Sequence, residues 1–248
     1  MNETIKTIQS LRSVRDFSDK EISKICLDEI LNSAVRAACS SARQNYSIIV
    51  VEDREILDKL FYGANKGLLF CTDFTRLIDT ANELEYKYNP NTIWEFITGN
   101  TDTILAAQTA VIAAKSLGID SLFTNSIHRA ELAKIYELFN LPKEYCFPLI
   151  AIGLGYAKSE PLYKKGRLKT GVIHYQKHRR LTSDEIANIA KQYKDFENER
   201  LGYPPEKYQE IGVKDYFEFF YTKWTRPRNP QKLEEIHKTL LETKFFQF

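Results

Sequence analysis

The chain reads as a mixed fold of helices and strands, and three observations predict that class. Short β-rich runs alternate with helical runs along the 248 residues, two Ser/Thr-x-x-Glu capping boxes open helices, and one long helix is apolar over most of its circumference. Ser18 with Glu21 predicts a helix to about Ala38, with Ile22, Ile25, Ile30, Leu31, Ala34 and Val35 at helical spacing. Tyr46 to Val51 reads as a strand, Asp53 as the cap of a helix through Leu60, and Leu68 to Asp73 as a second strand. The strongest helix is predicted over Thr101–Leu117, buried on nearly all sides and closed by Gly118. A strand over Asp120–Thr124, a helix over Arg129–Phe139 and a strand over Phe147–Gly153 follow. Thr182 with Glu185 opens a helix to about Glu199, and a last helix is expected over Gln231–Glu242. The expected organisation is a core over residues 1–180 and a helical C-terminal arm over 181–248, packed on that core or on a partner subunit.

Composition narrows the function. Hydrophobic content of 43% and charged content of 27% are those of a globular protein. A net charge of +2 argues against nucleic-acid binding by overall charge, although Lys158 to Arg180 is locally basic. Cys26, Cys39, Cys71 and Cys146 form no CxxC pair and read as buried thiols of a reducing compartment. No run approaches the ~18 apolar residues of a membrane span and no signal peptide is visible, so a cytoplasmic enzyme without a membrane partner is expected. The chain ends Phe245-Phe246-Gln247-Phe248, and so apolar a tail needs a surface, on its own core or on a partner.

Several motifs carry no chemistry. His174 and His178 are four apart but lack an intervening glutamate and sit among cations, so no metal site is expected. Gly153-Leu154-Gly155 has Lys158 where a dinucleotide fingerprint needs its third glycine, so it reads as a strand exit. Ser40 and Ser41 lack a nucleophile elbow. His128 and His237 read as surface residues. Arg12-Ser13-Val14-Arg15 does point to chemistry: two guanidinium forks and a hydroxyl on one short segment suit a phosphate. A solvated basic linker is the competing reading of that string alone.

The order of further segments decides between them. Arg12-Ser13-Val14-Arg15 is followed by Cys39-Ser40-Ser41-Ala42-Arg43-Gln44 and by Phe70-Cys71-Thr72-Asp73-Phe74-Thr75-Arg76. Then come Asp102-Thr103-Ile104-Leu105-Ala106-Ala107-Gln108, Phe147-Pro148-Leu149 running into Gly153-Leu154-Gly155, and Lys164-Lys165-Gly166-Arg167-Leu168. This succession resembles the nitroreductase superfamily, and within it the oxygen-insensitive major nitroreductase and flavin reductase group. The likeness covers roughly residues 10 to 180, with a weaker match at Arg226-Pro227.

The resemblance implies an α+β, nitroreductase-like fold, a central and mostly antiparallel sheet flanked by helices with an extended C-terminal arm. It implies FMN bound without covalent linkage at a homodimer interface, reduced by NAD(P)H and reoxidised by nitroaromatics, quinones or flavins through ping-pong hydride transfer. A flavin-binding or storage protein with little turnover is the alternative. By position, Arg12, Ser13 and Arg15 match the phosphate and ribityl grip, and Ser40, Ser41 and Gln44 the lining of the isoalloxazine. Asn65 matches an amide against the ring or ribityl chain, Phe123, Thr124, Asn125 and Ser126 the bordering loop, and Lys165 with Arg167 the cations at the pyrimidine oxygens or phosphate. Arg15 and Arg226 match the substrate face. No side chain is expected to act as acid or base, because the flavin carries the reaction. Leu11 and the glycine-free loop 123–126 depart from the pattern, and of the arginine-rich loop expected near 197–208 for a 2′-phosphate only the cations Arg200 and Lys207 remain.

Overall fold

In the computed structural model the described residues are 1–160, 165–195, 201–225 and 229–246. They form two compact units, one of residues 1–159 with 231–248 and one of residues 160–230. The division expected at residue 180 therefore falls inside the second unit, and the last helix belongs to the first.

The first unit is built on four strands, β1 (Tyr46–Val51), β2 (Lys66–Asp73), β3 (Asp120–Thr124) and β4 (Cys146–Gly155), in the order β1-β2-β4-β3. Every pairing is antiparallel. The register of β2 against β4 shifts after Phe70, which faces Ile150 while Cys71 faces Pro148. Proline has no N–H for a ladder, and this bulge, beyond the end of β3, lets a central strand tolerate one.

Both faces of the sheet are covered. Helices α1 (Glu3–Gln9), α2 (Lys24–Val35), α3 (Arg54–Leu60), α4 (Thr75–Glu83), α5 (Ile93–Ser116), α6 (Ser126–Arg129) and α7 (Leu132–Leu138) surround it. Leu68 and Phe70 pack with α2 and α5 through Ile30, Ala34, Ala106, Ala110 and Ala114. Leu69 and Cys71 point the other way, into Leu57, Phe61, Ile127 and Ile135. That two-sided burial is why β2 reads as a continuous apolar run rather than an alternation.

Several helix limits differ from expectation, each for a visible reason. Helix α2 starts at Lys24, capped by Ser23, because Ser18 N–H bonds the Tyr156 carbonyl and Ile22 N–H bonds Asn65 Oδ1 at 2.7 Å. The Ser18–Glu21 capping box therefore does not form. Helix α5 begins two turns before Thr101, capped by Thr92, and Gly99 admits the Phe74 ring where a Cβ would stand 2.7 Å from it. Nor is α5 buried on nearly all sides. Its small residues face the sheet, while Ile93, Trp94, Ile97, Ile104 and Leu105 are exposed. The helix expected over 129–139 is broken at Ala130–Glu131 into α6 and α7, and Glu235 accepts the N–H of Leu132.

His128 is not a surface residue. It stacks on Phe147, and its Nε2 lies 2.8 Å from the Pro148 carbonyl, where burial pushes its pKa down. The four cysteines are free; Cys71 and Cys146 are buried, whereas Cys26 and Cys39 are half-buried.

The second unit contains α8 (Ser183–Gln192), α9 (Pro205–Ile211) and α10 (Tyr216–Glu218), the last running into a π-helical stretch over Phe219–Trp224. The Thr182–Glu185 capping box forms as expected, and α8 ends at Gln192, short of Glu199, which lies outside the described residues. The final helix, α11 (Pro230–Glu242), returns the chain to the first unit. There Phe245 is fully buried against Phe74, Phe96 and Tyr145, so this part of the tail packs on its own core. Gln247 and Phe248 lie outside the described residues.

Candidate functional site

The segment after α1 runs extended along the edge of β3, with Ser13 bridged to Ser121 and Val14 N–H on the Ser121 carbonyl at 3.0 Å. In an extended segment alternate side chains share a face. Val14 is buried, and Ser13 and Arg15 on either side of it are exposed. Arg12 turns inward instead: its Nε and Nη2 each lie 3.4 Å from the Asp120 carboxylate, which also takes Lys115 Nζ at 2.8 Å. Burial alone would raise the Asp120 pKa, but the hydrogen bonds and charges of Lys115 and Arg12 hold it below its ordinary value. Arg12 thus braces the segment while Ser13 and Arg15 face solvent.

Phe17 continues the segment by bridging to Ala157 at the exit of β4. A Cβ on Gly155 would stand 2.7 Å from the Phe17 ring, and one on Gly153 2.9 Å from Ala64. The two glycines serve close packing, in agreement with a strand exit.

Ser40, Ser41 and Gln44 lie in a loop of unusual backbone. Ser41, Ala42 and Gln44 have φ of 51°, 56° and 52°, in the left-handed region that non-glycine residues seldom occupy. Asp102 on α5 accepts Ser40 N–H and Asn45 Nδ2, both at 2.9 Å. Arg43 is held by Glu95 at 3.0 Å, and Arg76 on α4 donates to the carbonyls of Arg43 and Gln44. Burial disfavours the Arg43 cation, but Glu95 more than offsets this and its pKa is raised.

The remaining candidates are spread more widely. Asn65 uses its side-chain oxygen on Ile22 N–H. Phe123 is partly exposed on β3, Thr124 accepts Ser126 N–H at 3.1 Å, Asn125 stands at the N-terminus of α6, and Ser126 donates to the Leu60 carbonyl. In the second unit Lys165 Nζ sits 5.0 Å from the centre of the Tyr203 ring, and Arg167 folds back onto the carbonyls of Lys165 and Gly166. Arg226 lies outside the described residues.

The first unit gathers its candidates at opposite ends of the sheet. Ser13 pairs with Ser121, Ser121 faces Leu154, and Leu154 faces the residue after Asn65. The Ser40–Gln44 loop instead enters β1 at Tyr46, opposite Thr72 at the far end. Along α5, Asp102 and Lys115 mark the same two ends, and their thirteen-residue separation is about 20 Å. Asp120, Asp102, Asn45 and Glu95 were not identified from sequence as supports of the site. The available signal was Asp102, a carboxylate on the alanine-rich face of α5.

No family model matches the chain. It is 28% identical over 236 residues to an FMN reductase [NAD(P)H] of Bacillus subtilis, covering 89% of this chain and 93% of that one. It is 31% identical over 205 residues to an FMN reductase (NADPH) of the same organism, covering 78% of this chain and 81% of that one. The NfrA1 nitroreductase of B. subtilis superposes with a TM-score of 0.79 at 23% identity, over 96% of this chain and 98% of that one.

Proposed function

Because the chain belongs to the nitroreductase superfamily, in its flavin reductase group, we propose that it is an NAD(P)H-dependent FMN oxidoreductase acting on nitroaromatics, quinones or flavins. The observation that carries this reading is the likeness to two FMN reductases over most of the chain. The residues present suit the group. Ser13 and Arg15 are exposed on a braced segment and suit a phosphate. Ser40, Ser41 and Gln44 lie in a loop whose irregular backbone is held from two helices and suit the ring. Phe123 to Ser126 border it, and Lys165 and Arg167 supply positive charge for its pyrimidine edge or phosphate. When bound, FMN supplies the two-electron carrier, and the protein positions it and sets the charge around it.

The separation of grip and ring-lining loop supports a homodimer. Of the exposed apolar residues of α5, Ile104 and Leu105 lie between the two ends. Pairing α5 with its copy about a twofold axis in antiparallel fashion sets the Asp102 end of one helix by the Lys115 end of the other. The Ser13–Arg15 grip of one copy then serves the Ser40–Gln44 loop of its partner.

The reductant follows from charge. Of the two cations that remain near 197–208, Arg200 lies outside the described residues and Lys207 is paired with Glu210 at 2.7 Å; with that loop depleted of arginine, NADH is used comparably to NADPH, and Arg226 is assigned to the nucleotide phosphates. The test is anaerobic. Purified protein is yellow and bleaches with either nucleotide, and an acceptor restores the colour. A yellow protein that neither nucleotide bleaches indicates flavin storage, and a hundredfold preference for NADPH overturns the reductant assignment alone.

A further inference from the structure

The loop over residues 39–45 carries three left-handed residues without a glycine. Such backbone costs on the order of 1–3 kcal/mol per residue and persists only where the surroundings enforce it. Two helices supply that enforcement. Asp102 is 2% exposed and belongs to the face of α5 otherwise made of Gly99, Thr103, Ala106, Ala107 and Ala110. A carboxylate adds little to packing there and must be desolvated. It spends both oxygens on the two ends of the loop, Ser40 N–H and the Asn45 amide. Arg76 is an exposed residue in the first turn of α4, yet its guanidinium folds over the loop to reach two successive carbonyls, 2.8 Å from that of Gln44. Asp102 thus holds the Ser40 N–H and the Asn45 side-chain amide, and Arg76 the carbonyls of Arg43 and Gln44.

We infer that Asp102 and Arg76 are positioning residues for the flavin ring, holding residues 40–44 in the one backbone form in which Ser40, Ser41 and Gln44 meet the isoalloxazine. This rests on the FMN reading above. Neither residue touches the ring; each acts through the loop.

The conservative variant gives the inference a sharp consequence. Asn45 Oδ1 is buried, with no hydrogen-bond partner among the described residues. In Asp102→Asn the new carbonyl keeps Ser40 N–H, and once the Asn45 amide turns over, its oxygen takes the new NH₂. Asp102→Asn should therefore preserve the loop, whereas Asp102→Ala releases it.

The experiment compares the native chain with Arg76→Ala, Asp102→Ala and Asp102→Asn. It reads the FMN dissociation constant, the visible absorption band of bound FMN at saturation, and the melting temperature of the FMN-free protein. Arg76 is exposed, so Arg76→Ala should melt within about 2 °C of the native chain yet bind FMN about tenfold more weakly, a loss of ~1.4 kcal/mol, with a shifted band. Asp102→Ala should show the same band shift with a lower melting temperature, and Asp102→Asn should restore the native band. If Asp102→Ala does not fold, Arg76→Ala carries the test. Native affinity and a native band in Arg76→Ala overturn the inference while the FMN reading stands. A native chain that takes up no added FMN removes both.

Discussion

At the level of single residues, the two arginines of the Arg12-Ser13-Val14-Arg15 string separate by the face they occupy. Arg12 is internal, paired with Asp120, and Arg15 is exposed. Arg12→Ala should therefore lower the stability of the FMN-free protein, because it removes one of two cations from a buried carboxylate. Arg15→Ala should leave stability intact and weaken FMN by about 1.5–3 kcal/mol, the worth of a charged hydrogen bond. Thermal melts and FMN titrations of the two variants check this division. Asp120 gives a pH signature. Its folded pKa lies below its ordinary value of 3.8, so the unfolded chain takes up a proton first as pH falls. Its stabilisation is complete above the unfolded value and is lost as pH falls through the depressed folded one. Asp120→Asn should cost about 1–3 kcal/mol at neutral pH and flatten the acid limb of stability measured by urea unfolding between pH 6 and pH 2, a range set by the acidic side chains. The suitability of the string for an anion was legible because residue types carry it. The inward turn of Arg12 was not, because it depends on which residue of β3 lies alongside.

Among the elements, all four strands were legible because β-branched and aromatic runs bounded by polar residues leave few alternatives. Helix ends were less so. Ser18 and Glu21 satisfy the capping pattern, but Ser18 N–H is drawn to the Tyr156 carbonyl and the N–H of Ile22, the residue after Glu21, to the Asn65 side-chain oxygen, which a local pattern cannot register. The terminal phenylalanines left two readings open, and Phe245 takes the intramolecular one. It fills a cluster with Phe74, Phe96 and Tyr145, and Tyr145 N–H reaches the Thr243 carbonyl at 2.8 Å. Phe245→Ala should cost about 3–5 kcal/mol, as for a fully buried phenylalanine. A chemical denaturation curve measures this directly, and a loss under 1 kcal/mol would show the side chain to be peripheral.

For the whole molecule, the exposed side of α5 is the feature that tests the proposed homodimer. Ile97 and Ile104 are both 54% exposed and seven residues apart, hence on one face. Charging both, as in Ile97→Glu with Ile104→Glu, should convert a dimer to a monomer by light scattering and release FMN, since grip and ring-lining loop then belong to separated chains. A double variant that remains dimeric and yellow would place the interface elsewhere. The apolar circumference of this helix was visible from its sequence and predicted burial on nearly all sides. One chain buries only the small-residue face, because the sheet offers a single surface for the helix to cover.

The sequence by itself determined the α+β class, the strand segments, the family, and the presence of residue types suited to a phosphate and a flat ring. Each follows from local pattern or from the order of segments, which chain connectivity preserves. Tertiary structure decided what depends on partners distant in sequence: that Asp120 turns Arg12 inward, that Asp102 and Arg76 hold a left-handed loop with no glycine, and that Phe245 packs on its own core. It also decided that the candidate residues of the first unit stand at opposite ends of one sheet. Hydrogen bonds, ion pairs and burial are set by distance in space, and residues 62 or 108 positions apart leave no local mark of being neighbours.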